Sequence, residues 1–193
     1  MPFTLTIGQD CPPFSLPATD GTTKGRDDFA SSDLLVIAFT CNHCPYVIQS
    51  EERILAFNAD YREKGVQLVC INSNEQDDHP TDSFEHMVER ARDRDFTFPY
   101  LRDRDQSVAL AFGALRTPHF FVFDRDRKLR YTGRMDDSPR DASKVTTSEL
   151  RDAVDALLDG RTPPDEVTNP IGCNVKWQGK ERHWMPAEAC DLV

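Results

Sequence analysis

Two apolar runs of strand length, Leu34–Thr40 and Val66–Asn72, mark the chain's first half. Neither shows the strict alternation of a half-exposed strand, so both read as strands buried on two faces. Between them Val47, Ile54, Phe57 and Tyr61 recur at steps of seven, three and four, a helical period. Gly65 stands where that helix should end. Strand, helix and strand in this order predict a parallel βαβ unit. Ahead of it, residues 8–30 hold Pro12, Pro13, Pro17 and Gly21, which predicts an extended lead-in with a turn at Asp20-Gly21.

Farther along, Phe84, Met87, Val88 and Ala91 give one apolar helical face, with Asp82 and Glu85 spaced as a capping box. Gln106–Phe112 reads as a shorter helix. His119–Asp124 and Leu129–Met135 flank a charged turn and predict an antiparallel hairpin. A last helix carries Leu150, Val154, Leu157 and Leu158, with Thr146 and Glu149 as its capping box and Gly160 at its end. Beyond it the period is lost and prolines gather. Residues 1–160 therefore read as one α/β domain, and 161–193 as a tail packed on it, too short to bury a core of its own.

Six cysteines in 193 residues are too few for a disulfide scaffold in a chain this long. Only Cys41 and Cys44 lie close together, which points to a catalytic or metal-binding pair. A net charge of −10 argues against nucleic acid and against an anionic membrane surface as partners. No apolar run approaches the roughly 18 residues of a spanning helix. The first residues lack the basic and then apolar pattern of a secretory signal, so a cytoplasmic location is expected.

The pair follows the first buried strand and precedes the first helix. A helix N-terminus favours negative charge, and the thiolate is the form that attacks a disulfide. On this reading Cys41 is ionised at the strand–helix junction, and Cys44, one turn into the helix, reaches back to close a disulfide. Pro45 suits an early helical position. His43, if protonated, adds a second stabilising charge. A free thiol of pKa about 8.5 is roughly 3% ionised at pH 7, and a drop of about two units would make it roughly 75%.

Cys41-Asn42-His43-Cys44-Pro45 after an apolar strand resembles the thioredoxin superfamily. Thr117-Pro118 followed by His119-Phe120-Phe121-Val122-Phe123-Asp124 looks like its cis-proline segment. Gly8-Gln9-Asp10-Cys11-Pro12-Pro13-Phe14-Ser15-Leu16-Pro17 is similar to the opening of the AhpC/TSA and TlpA-like branch. Pro170-Ile171-Gly172-Cys173-Asn174-Val175-Lys176-Trp177 looks like the tail of a peroxiredoxin-like, CxxC-bearing subgroup. The resemblance implies a thioredoxin-like three-layer sandwich, a central mixed β-sheet flanked by helices, with an N-terminal extension and a C-terminal tail. It further implies that Cys41 attacks and Cys44 resolves, with Pro118 cis beside them.

The expected function is thiol–disulfide oxidoreductase, with a disulfide-bearing protein or small thiol as substrate, a thiol reductant as electron donor, and no cofactor. One alternative is an antioxidant thiol peroxidase using Cys41, with Cys44 or Cys173 resolving. Against it, the peroxiredoxin pattern Pro-x-x-x-Thr-x-x-Cys fits neither Cys41 nor Cys44. Another is a copper- or zinc-binding module, although no second Cys-x-x-Cys or His-x-x-x-His completes a zinc site, and no metal is expected. Cys173 is a candidate third redox cysteine. Asn74 and Glu75, at the C-terminal end of the second strand, are candidates for substrate binding or proton transfer. Arg116 is a candidate for binding an anionic substrate.

Overall fold

The structure, a computed structural model, describes residues 3–181, 183–186 and 189. In chain order it contains β1 (Ser15–Pro17), β2 (Thr23–Gly25), β3 (Leu34–Thr40), α1 (Pro45–Tyr61), β4 (Val66–Asn72) and α2 (Phe84–Asp93). Then come β5 (Tyr100–Arg102), α3 (Ser107–Phe112), β6 (Arg116–Thr117), β7 (His119–Phe123), β8 (Leu129–Gly133), α4 (Glu149–Leu158) and β9 (Cys173–Asn174). The main sheet has the order β5-β4-β3-β7-β8. Strands β3, β4 and β5 run parallel, while β7 and β8 are antiparallel, so the expected mixed sheet is present. β3 is the central strand, paired on both edges, which is why every one of its residues is buried.

Successive residues of β3 feed opposite layers. Leu35, Ile37 and Phe39 pack with Phe121, Phe123, the lead-in residues Phe14 and Leu16, and Val108 and Phe112 of α3. Leu34, Val36 and Ala38 pack with Ile54, Phe57 and Tyr61 of α1, Met87 of α2, and Leu150 and Val154 of α4. This is a three-layer α/β sandwich of the thioredoxin-like kind, one of whose outer layers is built from α3 and the extended N-terminal segment. Cys11 and Cys70 are buried among these apolar side chains. Burial pushes the Cys11 thiol up to about 12 and Cys70 higher still, so neither is a ready nucleophile.

Both expected capping boxes differ from the structure. Ser83, not Asp82, caps α2 and accepts from the His86 N–H. The Asp82 carboxylate is drawn inward instead, toward the residues between the cysteines. Ser148 stands at the N-cap of α4, because Thr146 is held by Asp137 and Glu149 is paired with Arg134. The lead-in forms a hairpin, β1 with β2, around Gly21, whose φ of 82° a residue with a side chain rarely adopts. The tail is tied down by a two-stranded pairing in which Arg116 faces Asn174 and Thr117 faces Cys173.

Candidate active site

The cysteine pair lies at the C-terminal end of β3, the sheet edge where α/β proteins place their chemistry. Helix α1 begins about a turn later than expected, after the second cysteine instead of at the first. Pro45 is its first residue and Cys44 its N-cap, so the second cysteine rather than the first sits at the helix terminus. The reason is local: Pro45 lacks an N–H and fixes the start of the helix, and Cys44 keeps the extended conformation favoured before proline (φ −65°, ψ 122°).

Cys41 and Cys44 are 1% and 0% exposed. Together with Val47 they form a small cluster that Tyr46 and Cys173 pack against. The Thr117–Pro118 bond is cis, as the resemblance implied. Thr117 faces both thiols: its hydroxyl oxygen accepts from Cys41 Sγ (3.5 Å), and its carbonyl accepts from Cys44 Sγ (3.1 Å).

The two thiols have different surroundings. Hydrogen bonds from Cys173 and from Cys41 hold the Cys44 thiol well below its usual range, outweighing burial. Cys41 is pushed well above the usual range by burial, by donating to Cys44, and by the nearby Asp82 carboxylate. The N-cap position of Cys44 adds the field of α1. Against the expectation of an accessible Cys41 thiolate, Cys41 is buried in this reduced state and its surroundings hold its thiol up.

Asp82, which the sequence pattern assigned to a helix cap, is the centre of the polar network beside the pair. It is fully buried and accepts from the Asn42 N–H (2.6 Å), His43 Nδ1 (2.6 Å), Asn74 Nδ2 (3.0 Å) and Asn72 Nδ2 (3.2 Å). Burial alone would raise its carboxyl; the hydrogen bond and charge of His43, then the Asn42 N–H and Asn74, outweigh it and hold the group below the usual range. Asn42 also donates to the Thr81 carbonyl and accepts from the Tyr100 hydroxyl at 2.8 Å. Both residues between the cysteines are thus clamped. Asp82, Asn42 and Tyr100 gave no local signal in the sequence; the usable clue for Asp82 was its place in the loop after β4, at the same sheet edge as the pair.

The remaining candidates fall around this centre. Asn74 is buried and links Asp82 to the tail by accepting from the Lys176 N–H at 2.8 Å. Glu75 lies in the loop after β4. Its carboxylate pairs with His79 and accepts from the Asp77 and Asp78 N–H groups, which caps its own loop. The His79 ring stacks on His43, 4.6 Å between centroids. Arg116 donates through one guanidinium nitrogen to the Asn174 side chain on the tail. Ligand atoms of Cys41, His43 and Asp82 lie within 4.8 Å of one another and could hold a metal. Both Asp82 oxygens are already taken up by four donors, which a metal would have to displace.

The Redoxin family model matches residues 6–151. An uncharacterised conserved protein of Geobacillus kaustophilus is 42% identical over 91% of this chain and 94% of its own, with a TM-score of 0.86. Two more distant structures share the fold. A thioredoxin-family thiol:disulfide interchange protein of Chlorobium tepidum is 16% identical, covering 67% of this chain and 87% of its own (TM-score 0.56). Peroxidoxin BcpB of Mycobacterium tuberculosis is 24% identical, covering 66% and 84% (TM-score 0.56). No protein of curated function matches the chain. With three-quarters of its length matched by the family and the pair, cis-proline and mixed sheet in place, the chain belongs to the Redoxin family of thioredoxin-like oxidoreductases.

Proposed function

We propose that the protein exchanges a Cys41–Cys44 dithiol/disulfide with a disulfide-bearing protein or small-thiol partner. The observation that carries this reading is the packing of Cys41 and Cys44 into one cluster at the start of α1, with both sulfurs hydrogen-bonded to Thr117 beside the cis-proline. The reduced pair thus holds one sulfur ready to attack and a second within reach to resolve. In the exchange, a thiolate attacks a disulfide sulfur and expels one partner thiolate. The second cysteine then attacks the mixed disulfide, expels the other half and leaves Cys41–Cys44 oxidised. A thiol reductant restores the pair. Asp82, through Asn42 and His43, positions the residues between the cysteines.

Thr117, hydrogen-bonded to both sulfurs, precedes Pro118 through a cis bond. The test is reduction of insulin disulfides in the presence of dithiothreitol. Wild type should accelerate the precipitation of insulin chains, and Cys41→Ser and Cys44→Ser should each return it to the uncatalysed rate. Full activity in either variant would remove the pair from the reaction.

A further inference from the structure

Both sulfurs of the pair are sealed, at 1% and 0% exposure, yet exchange requires a sulfur that a partner can reach. The structure supplies one. Cys173, on the tail strand β9, is partly exposed and packs directly against Cys41, Cys44 and Val47. Its placement is built by several independent features. β9 pairs with β6 so that Cys173 lies opposite Thr117, the residue that contacts both pair sulfurs. Gly172 allows the close approach: a Cβ there would lie 2.2 Å from the Thr117 carbonyl oxygen. The following residues are anchored as well, the Val175 N–H on the Leu115 carbonyl, the Lys176 N–H on Asn74, and the Gln178 N–H on Gln106. A tail held this firmly places the third sulfur between the pair and solvent.

Building on the exchange reading above, we propose that Cys173 is the sulfur that first exchanges with the partner disulfide, and that Cys44 and then Cys41 draw the disulfide inward. The Cys173 thiol loses its proton to water, and the thiolate attacks the partner R–S–S–R′, forming Cys173–S–S–R and releasing R′–S⁻. The Cys44 thiolate attacks the Cys173 sulfur, forming Cys44–Cys173 and releasing R–S⁻. Cys41, losing its proton, attacks Cys44, forms Cys41–Cys44 and returns Cys173 to the thiolate, which is reprotonated. Overall Cys41 and Cys44 lose two electrons, Cys41 gives up its proton, and the partner disulfide leaves as two thiolates that protonate from water. β9 acts as a fixed relay between a buried couple and partners too large to enter.

The experiment uses the full chain with Cys190→Ser throughout, 5,5′-dithiobis(2-nitrobenzoate) as the probe, stopped-flow absorbance for the rate and peptide mass mapping for the products. The parent should release two thionitrobenzoate equivalents and finish with Cys41–Cys44 oxidised. Cys173→Ser should slow that release at least about tenfold, since rate follows access of the attacking thiol. Cys41→Ser/Cys44→Ser should release a single equivalent and hold a stable adduct on Cys173, whereas an unfolded chain would also label the buried Cys11 and Cys70. Release at the parental rate from Cys173→Ser, or an initial adduct on Cys41 or Cys44, would overturn the relay while leaving the exchange reading standing. A parent that never forms Cys41–Cys44 would overturn both.

Discussion

Replacing Asp82 is the most demanding perturbation of the site. Its carboxylate is fully buried and accepts four hydrogen bonds, three of them from the Asn42 N–H, the Asn72 amide and the Asn74 amide, on residues themselves buried. Asp82→Ala strands those donors away from water. A buried unsatisfied donor costs about 1 to 3 kcal/mol, and removing one partner of a buried ion pair costs about 3 to 5 kcal/mol. Since these overlap, a total loss of about 3 to 5 kcal/mol is expected. Asp82→Asn keeps an acceptor for Asn42 and should cost less, but it points amide hydrogens at Asn74. Urea unfolding of the reduced protein at pH 7 measures both. The sign with pH is fixed as well: the Asp82 carboxyl is held below its unfolded value, so its contribution is complete above about pH 4 and is lost as pH falls through the folded pKa. Asp82→Asn should also let Cys41 ionise at lower pH, since the carboxylate's charge helps to hold that thiol up. An Asp82→Ala variant within about 0.5 kcal/mol of wild type would refute the network as described.

Three further outcomes follow from the structure. Buried His119 accepts from the Leu115 N–H through Nδ1 and contacts Thr132 through Nε2, and burial, with the Arg116 charge, lowers its pKa to about 3. The unfolded imidazole takes up a proton below about pH 6.5, so this residue alone should cost about 2 kcal/mol between pH 7 and pH 5. Urea melts of wild type and His119→Gln at both pH values should differ by that amount; identical pH responses would discount it. Phe121→Ala removes a fully buried ring that meets Phe39 and Phe112 edge-on, and should lower stability by about 3 to 5 kcal/mol in the same assay. Gly172→Ala places a methyl group against the Thr117 carbonyl and should lift β9, raising the iodoacetamide labelling rate of Cys44; unchanged labelling would show that the tail does not seal the pair.

The elements that carry the fold were legible because each is long enough to show a period. β3, α1, β4, α2, the β7–β8 hairpin and α4 all lie where the apolar pattern placed them. β5, β6 and β9 are two or three residues long, below the length at which alternation can register, and they exist because a neighbouring strand edge recruits them. The site divides in the same way. Cys41, Cys44 and the Thr117-Pro118 step were readable from spacing and resemblance. Asp82 was misassigned because Asp82-x-x-Glu85 satisfies a local capping rule, while three-dimensional demand from Asn42, His43 and Asn74 outweighs it. Glu75 and Arg116 were placed near the correct sheet edge, where His79 and Asn174 hold them. Cys44 rather than Cys41 stands at the helix terminus because Pro45 fixes the first helical residue, a local effect that the apolar period does not report.

Equilibrating the protein in glutathione redox buffers, with acid quench, alkylation and mass mapping of the 41–44 peptide, weighs the central claim most directly. The account predicts one reversible two-electron couple in which Cys41 and Cys44 gain and lose alkylation together. Its midpoint should lie above thioredoxin's roughly −270 mV, because the donors that favour the Cys44 thiolate favour the reduced form. Two cysteines that remain alkylated across the whole series, or a midpoint well below that value, would contradict it.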